Sequence, residues 1–330
     1  MGSNLHSNAQ DVHYSQHWAS PLYANPAQTG YFNGDWRLAG IYRNQWKAIS
    51  GKAYNSAGVS YDRQDFYYSE QFNSGILVIA DHSGTSPITR TKAYLSGSYL
   101  KKINGHTLAF GIQPGVVNLS TDLSSTAYDS QYELGNSNGV FNTNLSNGEA
   151  TLEQSRTYFD LNAGALWSKK LGEKWRPAVG ITLQHLTMPN ESLLGDKSSA
   201  TRVPIKTLFQ CSAEYYFNQT FTLIPRGMYS MQRGATEMIV GGNAEMKIMH
   251  NVFKSIYIGS HFRYGMAQNY DASIWLIGTK FLNFDVAASY DINVSALSEA
   301  TSNRGAFEIS LIYISGSTKP TKIKIPCDRL

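Results

Sequence analysis

Side chains able to do chemistry are sparse in this chain. His13 and His17 stand four apart, a spacing that on a helix would put two imidazoles on one face. No Glu completes a His-Glu-x-x-His pattern and Pro21 follows closely, so a polar segment is the simpler reading. Asp81-His82 is expected in an outer loop, with no second acidic pair beside it. No Gly-x-Ser-x-Gly elbow and no phosphate-cradling glycine loop occurs. Cys211 falls on an apolar strand face and Cys327 in the tail, positions ill suited to a disulfide, whose Cα atoms must lie within about 7 Å. No catalytic, metal or cofactor site is therefore expected, and the chain is not expected to be an enzyme.

The charged residues follow a different logic. Many sit at alternate positions inside apolar segments, among them Arg37, Arg43, Asp160, Lys206, Glu214, Arg226, Glu237, Glu245, Lys247, Arg263, Asp285, Asp291 and Glu308. Both signs are interspersed. If these segments close on themselves, the charges face an interior that is either salt-bridged and plugged or open as an ion-selective channel. A ring of one sign would mark a channel more clearly.

The elements that carry these charges have a period of two. From Tyr158 to Ser168, Phe159, Leu161, Ala163, Ala165 and Trp167 share one face, and Asp160, Asn162, Gly164 and Ser168 the other. Ile256, Ile258, Phe262 and Tyr264 oppose Tyr257, Gly259, His261 and Arg263, and Phe307, Ile309 and Leu311 oppose Glu308 and Ser310. Such alternation argues for strands with one greasy and one polar side. Fourteen segments are expected: 35–46, 53–62, 72–80, 90–101, 105–116, 156–169, 174–187, 203–217, 220–231, 236–249, 254–266, 272–280, 284–293 and 305–315. Most match the about 9–11 residues of a tilted membrane strand, whereas globular strands average about 5–6.

Connections and composition point the same way. Short links carry Asn104-Gly105, Gly172 and Asn218-Gln219, while 81–89, 117–155, 188–202 and 294–304 are long. This sorting by parity suits a membrane barrel with short turns at one end and long loops at the other. The link 63–71 is longer than that rule favours. Trp36, Tyr42, Trp46, Trp167 and Trp175 cluster at strand ends, as interfacial aromatics do. Charged residues are only 16% of the 330, against roughly 25% in ordinary domains. The net charge of +4 is too small to argue for nucleic acid. No stretch approaches the about 20 apolar residues of a membrane helix. The expected fold is therefore all-β, a single transmembrane antiparallel β-barrel of about 14 strands. Residues 1–34 are expected to form an N-terminal periplasmic strap or plug, 35–315 the barrel, and 316–330 a basic periplasmic tail. Residues 1–10 read as a trimmed mature start or an added leader.

A resemblance sharpens the functional expectation. Asp11, Tyr14, Ser15 and Gln16 precede Asn25-Pro26-Ala27 and Gly30, and a strand then ends Tyr42-Arg43-Asn44-Gln45-Trp46. Near the other end come Tyr290-Asp291, then Gly305-Ala306-Phe307-Glu308, and the close Pro326-Cys327-Asp328-Arg329-Leu330. This ordered set resembles the PorP/SprF family of outer-membrane proteins of Bacteroidota, which accompany the type IX secretion system. Asp328 and Leu330 depart from the family's closing proline and phenylalanine. The resemblance implies a non-enzymatic outer-membrane barrel linked to gliding motility and protein secretion, and an even strand count is expected to leave both termini periplasmic. Its implied partners are other type IX components, outer-membrane lipid, and a large secreted adhesin held at the cell surface through that adhesin's C-terminal (type B) secretion domain. The expected contact residues lie in the outer loops, at Tyr128, Tyr132, Phe141 and Asn144. A passive porin-like channel for small solutes is the alternative.

Overall fold

The structure, a computed structural model, describes residues 11–45, 54–67, 70–83, 88–121, 129–133, 139–142, 145, 155–193, 201–248, 250, 252–265, 270–295 and 303–317. Its strands are β1 (Trp36–Gln45), β2 (Tyr54–Tyr67), β3 (Glu70–His82), β4 (Ile88–Ile103), β5 (His106–Thr121), β6 (Tyr132–Glu133), β7 (Val140–Phe141), β8 (Ser155–Lys169), β9 (Trp175–Gln184), β10 (Lys206–Tyr216), β11 (Phe221–Gln232), β12 (Ala235–Lys247), β13 (Phe253–Tyr264), β14 (Tyr270–Phe281), β15 (Phe284–Asn293) and β16 (Arg304–Ile314). All but β6 and β7 pair antiparallel with their neighbours, and β1 closes on β16, giving a barrel of fourteen strands. β6 and β7 form a separate two-stranded ribbon between β5 and β8.

Alternation decides which side chain goes where. Leu95, Phe110, Ile112, Phe159, Ile258 and Ile277 are all more than half exposed on the outer wall. Arg43, Asp160, His261, Asp291 and Glu308, on the opposite parity, are buried inside. A soluble monomer rarely tolerates an apolar band running round its whole girth; a lipid-facing barrel requires one. The lumen is not uniformly polar, because Leu208, Met228, Ile239 and Ile274 form an inward apolar cluster.

Turn chemistry fixes the hairpins. Asn104 and Gly105 both adopt positive φ, +50° and +79°, the conformation a two-residue hairpin turn requires. At that end of the barrel an aromatic belt runs through Tyr61, Trp36, Tyr313, Phe284 and Phe281, with successive ring centroids 4.9–5.9 Å apart. The fourteen expected strands are all present with ends shifted by up to five residues: β5 runs on to Thr121 rather than 116, and β9 stops at Gln184 rather than 187. β2 extends to Tyr67 and β3 begins at Glu70, so the 63–71 link shrinks to residues 68–69 and the parity exception disappears. Asp81 and His82 lie within β3 rather than in a loop. As successive strand residues they face opposite sides and cannot form a dyad; Asp81 accepts a bond from Ser56, and His82 meets Thr89.

Position on the wall should set tolerance to charge. Ile277→Arg, at the lipid-facing middle of β14, is expected to cost about 2–4 kcal/mol of unfolding free energy in lipid vesicles. Tyr132→Arg, in the β6–β7 ribbon, should leave the urea midpoint near that of the parent protein. Equal tolerance at both positions would contradict a membrane-facing band.

Candidate functional site

A cylinder of fourteen strands is too wide to be filled by its own side chains alone. Here residues 11–34 fill it. They fold into short turns, His17–Ala19, Pro21–Ala24 and Pro26–Gln28, too brief to satisfy their own backbone groups. Inward side chains of the wall do so instead. Gln113 donates to the Leu22 carbonyl at 3.1 Å, Gln184 to Tyr23 at 2.9 Å, and Thr182 to Ala24 at 2.9 Å. Arg37 reaches the Gln28 carbonyl at 3.0 Å and Ser98 that of Thr29 at 2.6 Å. The segment crosses the lumen from the long-loop side, where Asp11 lies, to the short-turn side, where Gly30 donates to Asp62 at 2.8 Å.

Four contacts hold it. The first is an ion cluster. Backbone N–H groups of Ser15 and Gln16 donate to the Glu308 carboxylate at 2.7 and 2.8 Å. Arg43 bonds the same carboxylate and also Asp291, at 3.1 Å. Arg263 pairs with Asp291 at 2.9 Å and with Asp271 at 2.6 Å, and the Ser15 hydroxyl accepts from both arginines. A buried charge is tolerable only when paired and hydrogen-bonded, and this cluster approaches that condition by recruiting the N-terminal segment, with Asp291 Oδ2 taking its contacts and Oδ1 left without a partner.

The second contact is a clasp. Asp11 bonds Lys92 and lies 3.2 Å from His185 Nε2, while His185 Nδ1 lies 2.7 Å from Asp160. Tyr94 donates to the same Asp160 oxygen at 2.7 Å. Burial opposes the Asp11 carboxylate, yet Lys92 and His185 hold its pKa well below the ordinary value. His185 takes φ +60°, a left-handed conformation that costs energy outside glycine and asparagine.

The third is a notch for Asn25-Pro26-Ala27. Gly111 and Gly164 are register partners on β5 and β8, with Gly180 on β9. A Cβ on Gly111 would come within 2.2 Å of the Pro26 carbonyl carbon, and one on Gly164 within 2.1 Å of Asn25 Oδ1. Asn25 then caps the following turn through the Ala27 N–H at 2.9 Å. The fourth is aromatic. Trp18 stacks on His261 at 4.9 Å, with the Arg226 guanidinium 4.8 Å from its ring.

The structure thus brings together Ser15, Gln16, Arg43, Asp291 and Glu308, residues singled out at opposite ends of the chain. Tyr14 packs edge-on to Tyr23 at 5.8 Å, and Gln45 accepts from Arg43. Tyr42 and Asn44 stand apart from the cluster and bond Asn55 of β2. Arg37 pairs with Asp62 at 2.8 Å and Glu245 with Lys280 at 2.7 Å. Lys206 is buried 6.0 Å from the Tyr23 ring, and Glu214 sits at the short-turn mouth, 3.6 Å from Arg176. Tyr132 and Phe141 pair across the β6–β7 ribbon with rings 5.1 Å apart, both exposed. Tyr128, Asn144, Trp46, Pro326 and Cys327 lie outside the described residues. The two histidines of the segment diverge, His13 toward Arg43 and His17 toward Trp18. Sequence reasoning missed the glycine notch and the Asp11 clasp. The notch had a signal, three glycines at inward positions of consecutive wall strands; the clasp had none.

The model of the type IX secretion system membrane protein PorP/SprF family matches residues 6–313. This chain belongs to the PorP/SprF family. No protein of curated function matches its sequence. In structure it is similar to the CymD monoaromatic hydrocarbon channel, at 8% identity over 91% of this chain and 94% of that one, with a TM-score of 0.51. The P. putida toluene transporter TodX, at 8% identity, covers 89% of this chain and 93% of its own, with a TM-score of 0.48. At this identity the CymD likeness speaks to the barrel fold alone. The family match adds what the fold cannot, membership of a secretion-system membrane protein family.

Two predictions concern the docked segment. Gly164→Leu fills the notch, and Glu308→Ala strips an acceptor from Ser15, Gln16 and Arg43, a loss of about 3–5 kcal/mol for a buried pair. Both should speed chymotryptic cleavage after Trp18 or Tyr23 at least roughly tenfold, a shift of ~1.4 kcal/mol in opening, while barrels keep heat-resistant migration. Unchanged cleavage would contradict the docking. The second prediction is pH-dependent. Burial, then Arg226 and His261, push His17 down to about 3, and burial with Arg43 lowers His13. An undocked histidine titrates near ~6.5. The released segment therefore binds protons that the docked one refuses, so docking is strongest above about 6.5 and weakens as pH falls toward 3. A fluorotryptophan NMR signal at Trp18 should shift toward its solvent position over that range, and less so in His17→Asn. A pH-independent signal would contradict the assignment.

Proposed function

We propose that this chain is a non-enzymatic outer-membrane partner of type IX secretion, which holds the C-terminal (type B) domain of a large secreted adhesin at the cell surface. The observation that carries this reading is the lumen filled by residues 11–34 and tied to the wall at Glu308 and Asp291. A barrel braced in this way is a rigid platform rather than an open conduit. Family membership supplies the secretion context. The start of β1 and the end of β16 fall at the short-turn end, which this reading assigns to the periplasm, while the lumen segment begins at the long-loop end with Asp11. The long-loop end then faces outward, and its β6–β7 ribbon offers two exposed aromatic rings of the kind that anchor protein interfaces. Links to gliding motility and to other type IX components follow from the same reading.

Purification from the native envelope under mild detergent should recover a large secreted chain with the barrel. Replacing Tyr132 and Phe141 together by Ala should lower that recovery several-fold without changing heat-resistant migration. Recovery of a bare barrel would contradict the proposal. Stable conductance of the intact protein in a planar bilayer would favour the porin-like alternative instead.

A further inference from the structure

At the short-turn end the docked segment stops short of the barrel mouth. Residues 30–34 form the floor of a concave vestibule of about 690 Å³. This lies within the ~300–1,000 Å³ typical of ligand pockets. Four cationic side chains line it, Lys102, Lys169, Lys170 and Arg176, against one carboxylate, Glu214. Glu214 is already engaged by Arg176 at 3.6 Å and by the Tyr216 hydroxyl. Among the described residues Lys102, Lys169 and Lys170 have no acidic partner, whereas the neighbouring Lys101 bonds Glu70 and Lys280 bonds Glu245. Deeper in the lumen Arg37, Arg43, Lys92 and Arg263 are each paired with a carboxylate, while Lys206 and Arg226 lie against the rings of Tyr23 and Trp18. Ser317 lies at the rim, so the chain leaves the barrel beside this mouth, and the remaining 318–330 carries Lys319, Lys322, Lys324 and Arg329 against Asp328.

We propose that this vestibule is a receptor for an acidic peptide segment of a partner protein. Carboxylates entering the mouth would meet the exposed Lys102 and Lys170 across a concave surface, where charge complementarity guides encounter and fixes register. Lipid headgroups are the poorer match, because the pocket opens along the barrel axis, inside the ring of strands, rather than toward the bilayer. The floor gives such binding a structural consequence. A peptide seated there presses on Tyr31 and Phe32, the trailing end of the segment that fills the lumen. The inference concerns the mouth itself and stands apart from which partner the long-loop end holds.

The test uses the full chain in phosphatidylcholine nanodiscs and a fluorescein-labelled alternating Glu-Gly peptide, followed by anisotropy. Binding is expected at ~0.05 M salt and should fade by ~0.5 M as screening shortens the reach of exposed charges. The charge-reversed pair Lys102→Glu and Lys170→Glu should bind at least roughly tenfold more weakly, a difference of ~1.4 kcal/mol. Lys254→Glu, outside the vestibule, should bind as the parent does, and a Lys-Gly peptide should not bind. Absence of binding at low salt would overturn the proposal, as would an equal loss in Lys254→Glu. Loss on deleting 318–330 but not in the charge-reversed pair would overturn it by assigning the attraction to the tail. Abolition of binding by phosphatidylglycerol in the nanodisc would overturn it by assigning the lysines to lipid.

Discussion

The buried pairing of Arg43 with Glu308 and Asp291 is the interaction on which the interior depends. Arg43 belongs to β1 and its two carboxylates to β16 and β15, so the cluster sits across the seam where the barrel closes. Left to the wall alone, the Glu308 carboxylate would have few donors. Ser15 and Gln16 supply it with two backbone N–H groups, and the Ser15 hydroxyl donates to Asp291, which makes the N-terminal segment part of the solution to a desolvation problem. Closure of the sheet and filling of the lumen are thus coupled through one set of charges.

Geometry explains why such a segment is needed. Eight strands can be filled by side chains and sixteen leave water, so fourteen leave a gap about the width of a chain. A chain inside a barrel brings its own unsatisfied peptide groups, and the wall meets them with Gln113, Thr182, Gln184 and Gln210 rather than with apolar residues. The same wall recedes at Gly111 and Gly164 where Asn25-Pro26-Ala27 comes closest. Polar face and glycine notch together make the interior a mould of the segment.

How much of this was legible in the sequence follows from the range of the forces involved. Strand positions and faces were readable because period-two alternation is local and the membrane enforces it on every strand. The inward placement of Arg43, Asp160, Lys206 and Glu308 followed from parity alone. Pairing partners did not, because Ser15 and Glu308 are separated by 293 positions and no local pattern links them. The extension of β2 past Asp62 was missed because Arg63, Gln64 and Asp65 read as a polar turn. In the structure Gln64 instead bonds the Gly30 and Phe32 carbonyls of the docked segment, and Arg63 pairs with Asp65. The Asp11–His185–Asp160 clasp was invisible for the same reason, its members lying on three separate elements.

The most direct measurement of the central claim is amide hydrogen exchange across residues 11–30 of the intact protein in lipid. Because the Ser15 and Gln16 amides donate to a buried carboxylate, the account predicts protection comparable to that of the neighbouring β1 and β16 peptides. Exchange of this segment at the rate of an unstructured chain, with the strands still protected, would contradict it.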